Sequence, residues 1–191
     1  MTIRPGDILF LHGLEGSPQG NKARWLRERY GADAPALDTS AAREASAQAR
    51  LGDGSWRWRP EDVAEALRVP FAQALAALAE RPRRLVIGSS FGGALLVELI
   101  QAGHWRGPTL LLAAAAAKMN RRRPLPREVK SLLIHGRQDT VVPIADSRNL
   151  AADSGANAVL WEVDGDHSLG GILTDGTLER AVMHLLKMDN R

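Results

Sequence analysis

Short apolar runs alternate along this chain with longer segments of helical periodicity. A strand that is buried on both faces is apolar almost throughout, and strands that are joined by helices run parallel. The alternation therefore predicts an α/β protein, in which about six mainly parallel strands form the middle of a three-layer αβα arrangement. The predicted strands are Asp7–Leu11, Ala34–Leu37, Arg84–Ile87, Thr109–Ala113, Ser131–His135 and Ala158–Val163.

The segments between the strands indicate the helices and the number of domains. Thr39–Arg59 is the least regular: its Ala-rich part, Ala41–Arg50, favours a helix, whereas Gly52–Ser55 has the composition of a turn. A chain of 191 residues can bury one substantial core and is too short for two ordinary domains, so we expect a single domain over residues 1–191. The other predicted helices are Asn21–Tyr30, Glu61–Glu80, Gly92–Ala102, Ile144–Asp153 and Thr177–Met188.

The composition argues against a nucleic-acid or membrane partner. The 25 Lys and Arg residues nearly balance the 22 Asp and Glu residues, whereas a nucleic-acid-binding domain carries a clear positive excess. No run approaches the roughly 20 apolar residues of a membrane span, and the first apolar run, Ile8–Leu11, is too short for a signal peptide. We therefore expect a cytoplasmic protein. The absence of cysteine removes disulfides and thiolate chemistry.

Positive charge is concentrated in the segment Lys118–Lys130. Pro124 and Pro126 interrupt this segment, and no aromatic residue lies within it. This composition predicts a solvated loop rather than a nucleic-acid surface. A role in binding phosphate or an acidic substrate stays open as an alternative. The basic residues are Lys118, Arg121, Arg122, Arg123, Arg127 and Lys130.

The sequence Gly88-Ser89-Ser90-Phe91-Gly92 joins a predicted strand to a predicted helix. Its G-x-S-x-G pattern is typical of a sharp strand-to-helix turn that exposes the serine at its tip. Gly88 and Gly92 occupy the positions where a side chain would collide with the neighbouring strand or helix. The N–H groups at the start of the helix favour an anionic intermediate, so Ser90 is the candidate nucleophile. Ser89 is the rival hydroxyl, but it places Gly92 at the wrong spacing.

A serine hydroxyl needs a base within hydrogen-bond distance, and the base needs a carboxylate that fixes its tautomer. Ligands of a parallel sheet bind at the carboxyl ends of the strands, so the loops that follow strands are the relevant ones. Among the histidines, only His167 follows Ser90 in a Gly-rich loop beyond a strand, and it is the candidate base. We predict packing or loop-shaping roles for the others, which are His12, His104, His135 and His184.

Asp139 is the candidate carboxylate, because it follows the predicted strand Ser131–His135 by a short turn. Asp164 and Asp166 are its rivals. Asp166 adjoins His167, but neighbouring loop residues usually point apart, so a carboxylate from a distant loop is the better partner for the imidazole. A turn or N-cap carboxylate is the alternative interpretation of Asp139.

Two backbone N–H groups are expected to stabilise negative charge on a reacting carbonyl oxygen. One belongs to Phe91, directly after Ser90, and the other to Leu14, in the loop after the first strand. Gly13 lets this loop approach a substrate closely; alternatively, His12 and Gly13 simply end the strand. None of these steps requires a metal ion or an organic cofactor.

Together these motifs resemble those of the α/β-hydrolase superfamily, and they span nearly the whole chain. The resemblance implies an α/β-hydrolase fold and hydrolysis through an acyl-enzyme, with Ser90, Asp139 and His167 as a catalytic triad. His12-Gly13 followed by Ser17-Pro18 and Lys22, with the doubled serine, is similar to a group of small bacterial serine esterases. The motifs that carry the resemblance are Phe10–Gly13, Gly88–Gly92, His135–Asp139 and Asp166-His167.

The chain departs from the larger members of that superfamily. Only six residues precede the first predicted strand, and the link from Ala113 to Ser131 is too short for a helical lid domain. We therefore expect a lid-free serine carboxylesterase whose partner is a small-molecule ester with a small or medium acyl chain. A thioesterase or an amidase would use the same residues. A ligand-sensing or signalling protein that keeps the fold is the alternative from another class.

Overall fold

The computed structural model describes residues 2–49, 57–119 and 123–188. Within these ranges the chain forms one sheet of five parallel strands, whose spatial order is their order along the chain. All residues of the first four strands are buried, as expected of strands covered on both faces. The strands are β1 (Ile8–Leu11), β2 (Leu85–Ser89), β3 (Thr109–Leu112), β4 (Ser131–Gly136) and β5 (Ala158–Val163).

The helices of the described ranges are α1 (Asn21–Tyr30), α2 (Ser40–Ala49), α3 (Pro60–Ala79), α4 (Phe91–Gln101), α5 (Ile144–Ser154) and α6 (Thr177–Met188), with a short 3-10 helix at Gly170–Leu173. Leu9 and Leu11 of β1 share a core with α3 and α4, whereas Ile8 and Phe10 share a second core with α1 and α6. Alternate strand residues thus face opposite helical layers, and the predicted three-layer αβα arrangement is confirmed. Each described helix is too short or too polar to cross a membrane.

The prediction of a sixth strand at Ala34–Leu37 is wrong for this structure. Only Asp33 bridges to β1: the Phe10 N–H donates to the Asp33 carbonyl at 2.8 Å, and the Asp33 N–H donates to the Ile8 carbonyl at 2.9 Å. Pro35 has no N–H group and therefore cannot extend this ladder. The sheet of the described residues accordingly has five strands rather than six.

The irregular segment Thr39–Arg59 contains the helix that its Ala-rich part favoured. This helix, α2, covers Ser40–Ala49 and packs against α3. The Asp38 carboxylate accepts hydrogen bonds from the backbone N–H and the hydroxyl of Ser40, at 3.0 and 2.6 Å, and so fixes the start of α2. The predicted turn at Gly52–Ser55 lies outside the described residues.

The link between β3 and β4 has no helix or strand in its described parts, residues 113–119 and 123–130. Met119, Leu125 and Val129 are buried. The basic segment Lys118–Lys130 is therefore not simply a solvated loop, because apolar side chains within it anchor it to the body of the protein. These described parts show no lid, as the short link predicted, and residues 120–122 lie outside them.

Candidate active site

Ser90 is the single residue between β2, which ends at Ser89, and α4, which begins at Phe91. Its backbone has φ 53° and ψ −114°, a conformation that residues with a side chain rarely adopt. Its neighbours hold it there: the Ser90 N–H donates to the Leu112 carbonyl at 2.8 Å, and three N–H groups donate to the Ser90 carbonyl. These donors belong to Gly93, Ala94 and Ala115, at 2.9, 3.1 and 3.0 Å.

Gly88 and Gly92 flank this turn at points where two backbones nearly touch. A Cβ atom on Gly88 would lie 2.5 Å from the Gly92 carbonyl oxygen, and one on Gly92 would lie 2.1 Å from the Leu11 carbonyl oxygen. Real Cβ atoms do not come so close to backbone atoms. Close approach of β1, β2 and α4 therefore requires glycine at both positions.

The loops that follow β2, β4 and β5 bring three predicted site residues into one hydrogen-bonded chain. The distance from Ser90 Oγ to His167 Nε2 is 2.9 Å, and that from His167 Nδ1 to Asp139 Oδ2 is 2.7 Å. A carboxylate can only accept, so His167 Nδ1 carries the hydrogen. The neutral ring then has a lone pair on Nε2, which accepts the hydrogen bond from the Ser90 hydroxyl.

The Asp139 side chain is fully buried and lies within hydrogen-bond distance of four donors. Oδ1 accepts hydrogen bonds from the N–H groups of Val141 and Val142, both at 2.8 Å. Oδ2 faces His167 and, at 3.1 Å, His135 Nε2. Burial raises the pKa of this carboxyl group, but the hydrogen bonds outweigh burial and hold the pKa well below its usual value. Asp139 is therefore ionised at neutral pH.

The rival acids have other partners. Asp166 accepts hydrogen bonds from the backbone N–H and the hydroxyl of Ser168, the first at 2.9 Å, although it precedes His167 directly. Asp164 forms an ion pair with Arg137 at 2.9 Å. Asp139 is also a turn carboxylate, which was its alternative interpretation, because Oδ1 accepts hydrogen bonds from the N–H groups of Val141 and Val142. Its other oxygen, Oδ2, is directed toward histidine.

The loop after β1 is shaped by His12, as predicted. His12 Nε2 accepts a hydrogen bond from the Leu37 N–H at 3.1 Å, so Nδ1 carries the hydrogen and donates it to the Gly13 carbonyl at 2.9 Å. Burial lowers the pKa of His12 and favours this neutral form. A Cβ atom on Gly13 would lie 3.3 Å from Ser90 Cβ, so the loop passes directly over the turn.

A cavity of about 650 Å³ opens above Ser90. Leu14 and Phe91, the two residues whose N–H groups were predicted to stabilise negative charge, both line it. Phe91 is the first residue of α4, where a helix leaves its N–H groups without internal partners. Apolar side chains form most of the wall, and they include Phe10, Leu14, Trp58, Phe91, Met119, Val142 and Leu173.

Sequence reasoning had not assigned contacts to Met119 and Lys22, which lie in the cavity wall. Trp58 is buried beside α3, and Met119 closes the wall from the link between β3 and β4. Lys22, known only from the motif resemblance, donates from Nζ to the Ser168 carbonyl and so ties α1 to the loop of His167. Burial lowers the pKa of Lys22. No sequence pattern pairs Met119 or Lys22 with the site, because each contact joins distant segments.

The described residues contain no group of three or more His, Asp or Glu side chains arranged to hold a metal ion. His167 and Asp139 bind each other, and His135 is enclosed between Ser147 and Asp139.

The chain has a parallel sheet between two helical layers, a strained serine after one strand, and an acid and a histidine after later strands. This arrangement is the α/β-hydrolase fold. Comparison with solved structures shows the same fold. A candidate hydrolase of the alpha/beta superfamily from Xanthomonas campestris pv. campestris matches with 22% identity and a TM-score of 0.64, over 97% of this chain and 99% of that one.

Two further structures extend this comparison. A candidate hydrolase from Agrobacterium vitis S4 is 16% identical with a TM-score of 0.69, over 96% of this chain and 90% of its own. An esterase from Pyrococcus furiosus is 16% identical with a TM-score of 0.64, over 97% and 83%. No protein-family model matches the chain. No curated protein matches it either. At these identities the likeness establishes the fold.

Proposed function

We propose that this protein is a serine hydrolase that cleaves carboxylic esters with small or medium acyl chains through an acyl-enzyme. The observation that carries the proposal is the hydrogen-bonded chain Ser90–His167–Asp139, built on a strained strand-to-helix turn. A hydroxyl, an imidazole in the accepting tautomer and an ionised carboxylate are what nucleophilic attack by serine requires. Ser90 and His167 both line the cavity, so an ester that enters it can reach the nucleophile and the base.

In the proposed mechanism, Ser90 Oγ attacks the ester carbonyl carbon while His167 Nε2 takes the hydroxyl proton. Asp139 holds the Nδ1 hydrogen and stabilises the imidazolium that forms. The carbonyl oxygen becomes an oxyanion, which accepts hydrogen bonds from the N–H groups of Leu14 and Phe91. As the carbon–oxygen bond breaks, His167 gives its proton to the leaving alcohol.

The second half of the reaction repeats these steps with water. His167 Nε2 removes a proton from a water molecule that attacks the acyl carbon, and then returns the proton to Ser90 Oγ. The carboxylic acid leaves, and the free enzyme is restored. No further proton donor is needed, since each proton that His167 accepts is passed on within the same half-reaction.

Labelling with a fluorophosphonate tests the serine mechanism directly. We expect one adduct per chain, located by mass spectrometry on the peptide that contains Ser90. Ser90→Ala should not react, whereas Ser89→Ala should react. Labelling of a different residue, or no labelling of a folded protein, would contradict the proposal and favour a non-catalytic ligand-sensing protein.

A matched set of substrates tests the bond that is cleaved. The butyryl ester, thioester and anilide share one acyl group, so that differences in kcat/KM, each divided by the rate of spontaneous hydrolysis, report the leaving group rather than the acyl chain. We expect the oxygen ester to be cleaved fastest. A thioester or anilide optimum would leave the triad in place and assign a thioesterase or an amidase. The proposal also includes a single domain and a cytoplasmic location, which limited proteolysis and cell fractionation would test.

A further inference from the structure

His135 lies near the end of β4 and is completely buried. Both of its ring nitrogens have partners. Nδ1 is 2.7 Å from the Ser147 hydroxyl oxygen of α5, and Nε2 is 2.9 Å from the Val142 carbonyl oxygen and 3.1 Å from Asp139 Oδ2. A buried imidazole in contact with the carboxylate of the proposed triad is therefore a second histidine at this acid, in addition to His167.

The partners of His135 determine where its hydrogen lies. The Val142 carbonyl and the ionised Asp139 carboxylate can only accept hydrogen bonds, so Nε2 must be the nitrogen that carries the hydrogen. In the neutral ring, Nδ1 then has a lone pair, and the Ser147 hydroxyl donates to it. Ser147 therefore favours the tautomer in which His135 donates toward Asp139.

We propose that His135 is a positioning residue that holds Asp139 Oδ2 opposite His167, and that Ser147 fixes the tautomer this requires. The inference rests on the proposed function, in which Asp139 orients His167. The Val141 and Val142 N–H groups hold only Oδ1. Oδ2 is shared by two imidazoles from two different strand ends, so rotation of the carboxylate would break bonds at both oxygens.

The contact of His135 with Oδ2 also weakens the hydrogen bond between this oxygen and His167. A carboxylate oxygen that accepts two hydrogen bonds is a weaker acceptor toward each donor than one that accepts a single bond. A further charged group near His135 is Glu162, its register partner on β5, and Arg148 and Arg137 form ion pairs with it. Asp139 and His167 are thus the titratable groups that respond when His135 is changed.

The test compares His135→Leu with His135→Gln. Leucine keeps an apolar volume and removes the donor, whereas the glutamine amide nitrogen can occupy the position of Nε2 and donate to Asp139. For His135→Leu we expect the acid limb of the kcat/KM profile to move to higher pH by about half a unit, because the freed carboxylate stabilises imidazolium at His167 more strongly. At the pH optimum kcat should fall about tenfold, because the orientation of His167 is less well held. His135→Gln should restore most of both values.

Two controls separate positioning from a general loss of stability. Ile134→Val removes a buried methyl group from the same strand and should leave the acid limb unchanged, whatever it does to unfolding. Ser147→Ala should shift the limb in the same direction as His135→Leu, but less, because His135 keeps its place and loses only one of the partners that set its tautomer. If His135→Leu does not fold, the same measurements on His135→Gln and Ser147→Ala test the inference.

A readout without turnover distinguishes failure of this inference from failure of the proposed function. Histidine ¹⁵N NMR of the wild-type protein should show His135 with its hydrogen on Nε2 and a His167 titration that moves in His135→Leu as the activity limb does. Hydrogen on Nδ1 of His135 would overturn the inference, as would an unchanged titration in His135→Leu. A protein without esterase activity that shows the expected NMR behaviour would contradict the proposed function alone.

Discussion

The reactive geometry of Ser90 is set by its backbone rather than by its side chain. Four hydrogen bonds to its N–H and carbonyl groups hold φ at 53°, and these bonds do not involve the hydroxyl. Neighbouring backbone thus stabilises the strained conformation before any substrate binds. Removing the hydroxyl should therefore remove chemistry and leave the turn intact.

For Ser90→Ala we expect kcat for a p-nitrophenyl ester to fall by about 10⁴ to 10⁶, because the three groups of the triad work as a unit. The urea midpoint of unfolding should change little. Ser89→Ala is the matched control, since Ser89 is the buried last residue of β2 and its hydroxyl is absent from the chain that links His167 to Asp139. Equal losses in the two variants would refute the assignment of the nucleophile.

Asp139→Asn should lower kcat by about 10³ to 10⁴, because an amide can donate to His167 Nδ1 and so favour the wrong tautomer. Asp166→Asn is the control, since Asp166 lies next to His167 in sequence but its carboxylate bonds to Ser168. The control should retain most of its activity. A larger loss in Asp166→Asn than in Asp139→Asn would reassign the acid.

The low pKa of Asp139 also predicts how stability depends on pH. The carboxyl binds its proton at lower pH in the folded protein than in the unfolded chain, where the midpoint is about 3.9. Its contribution to stability is therefore complete above about pH 5 and is lost as the pH falls through the folded-state value. In urea unfolding from pH 7 to pH 3, the stability difference between the wild type and Asp139→Asn should shrink at the acid end. A constant difference would contradict the shift.

For individual residues, the sequence predicted which residues form the site better than it predicted which residues contact each other. Ser90, Asp139 and His167 could be chosen because each follows a predicted strand, and parallel strands end at one edge of the sheet. The contact of His135 with Asp139 was harder to predict from the sequence. The two residues lie four positions apart, but Ser147, which sets the hydrogen on His135, reaches it only because α5 packs on β4.

Among the elements, the meeting of β1, β2 and α4 tolerates the least change. Gly92→Ala would place a methyl group 2.1 Å from the Leu11 carbonyl oxygen, and both partners are backbone in buried elements. We expect the free energy of unfolding to fall by about 2 to 4 kcal/mol. Gly171→Ala is the control, because a Cβ atom there has no heavy atom within 4 Å. It should change stability by less than about 0.5 kcal/mol, and equal losses would contradict the steric explanation.

The strands that could be predicted from the sequence are those in which no second feature, such as a proline, opposes the apolar pattern. Each of the five strands contains an apolar run, and in the first four both faces of the strand are buried. Ala34–Leu37 has the same apolar content, but Pro35 removes the donor that a ladder needs, and the chain leaves the sheet after a single bridge. α3 begins at Pro60, one residue before its prediction, as proline at a first helical position allows.

The whole molecule determines which substrates can reach Ser90. The cavity of about 650 Å³ is walled mainly by apolar side chains from the loop after β1, from Trp58 beside α3 and from the link between β3 and β4. A single acetyl group would leave most of this apolar wall in water. The wall is formed by short segments in the described ranges, without an added helical layer, so its extent is limited.

We therefore expect kcat/KM for p-nitrophenyl esters to rise from acetyl to hexanoyl and to fall at dodecanoyl. Each CH₂ group that the cavity buries contributes up to about 0.8 kcal/mol, or roughly fourfold in kcat/KM. Beyond the end of the cavity this gain stops, and ordering the longer chain has an entropic cost. The measurement is a chain-length series at fixed pH below the micelle concentration of each ester. An optimum at dodecanoyl would require a longer apolar channel, and one at acetyl would mean that the acyl chain does not enter this cavity.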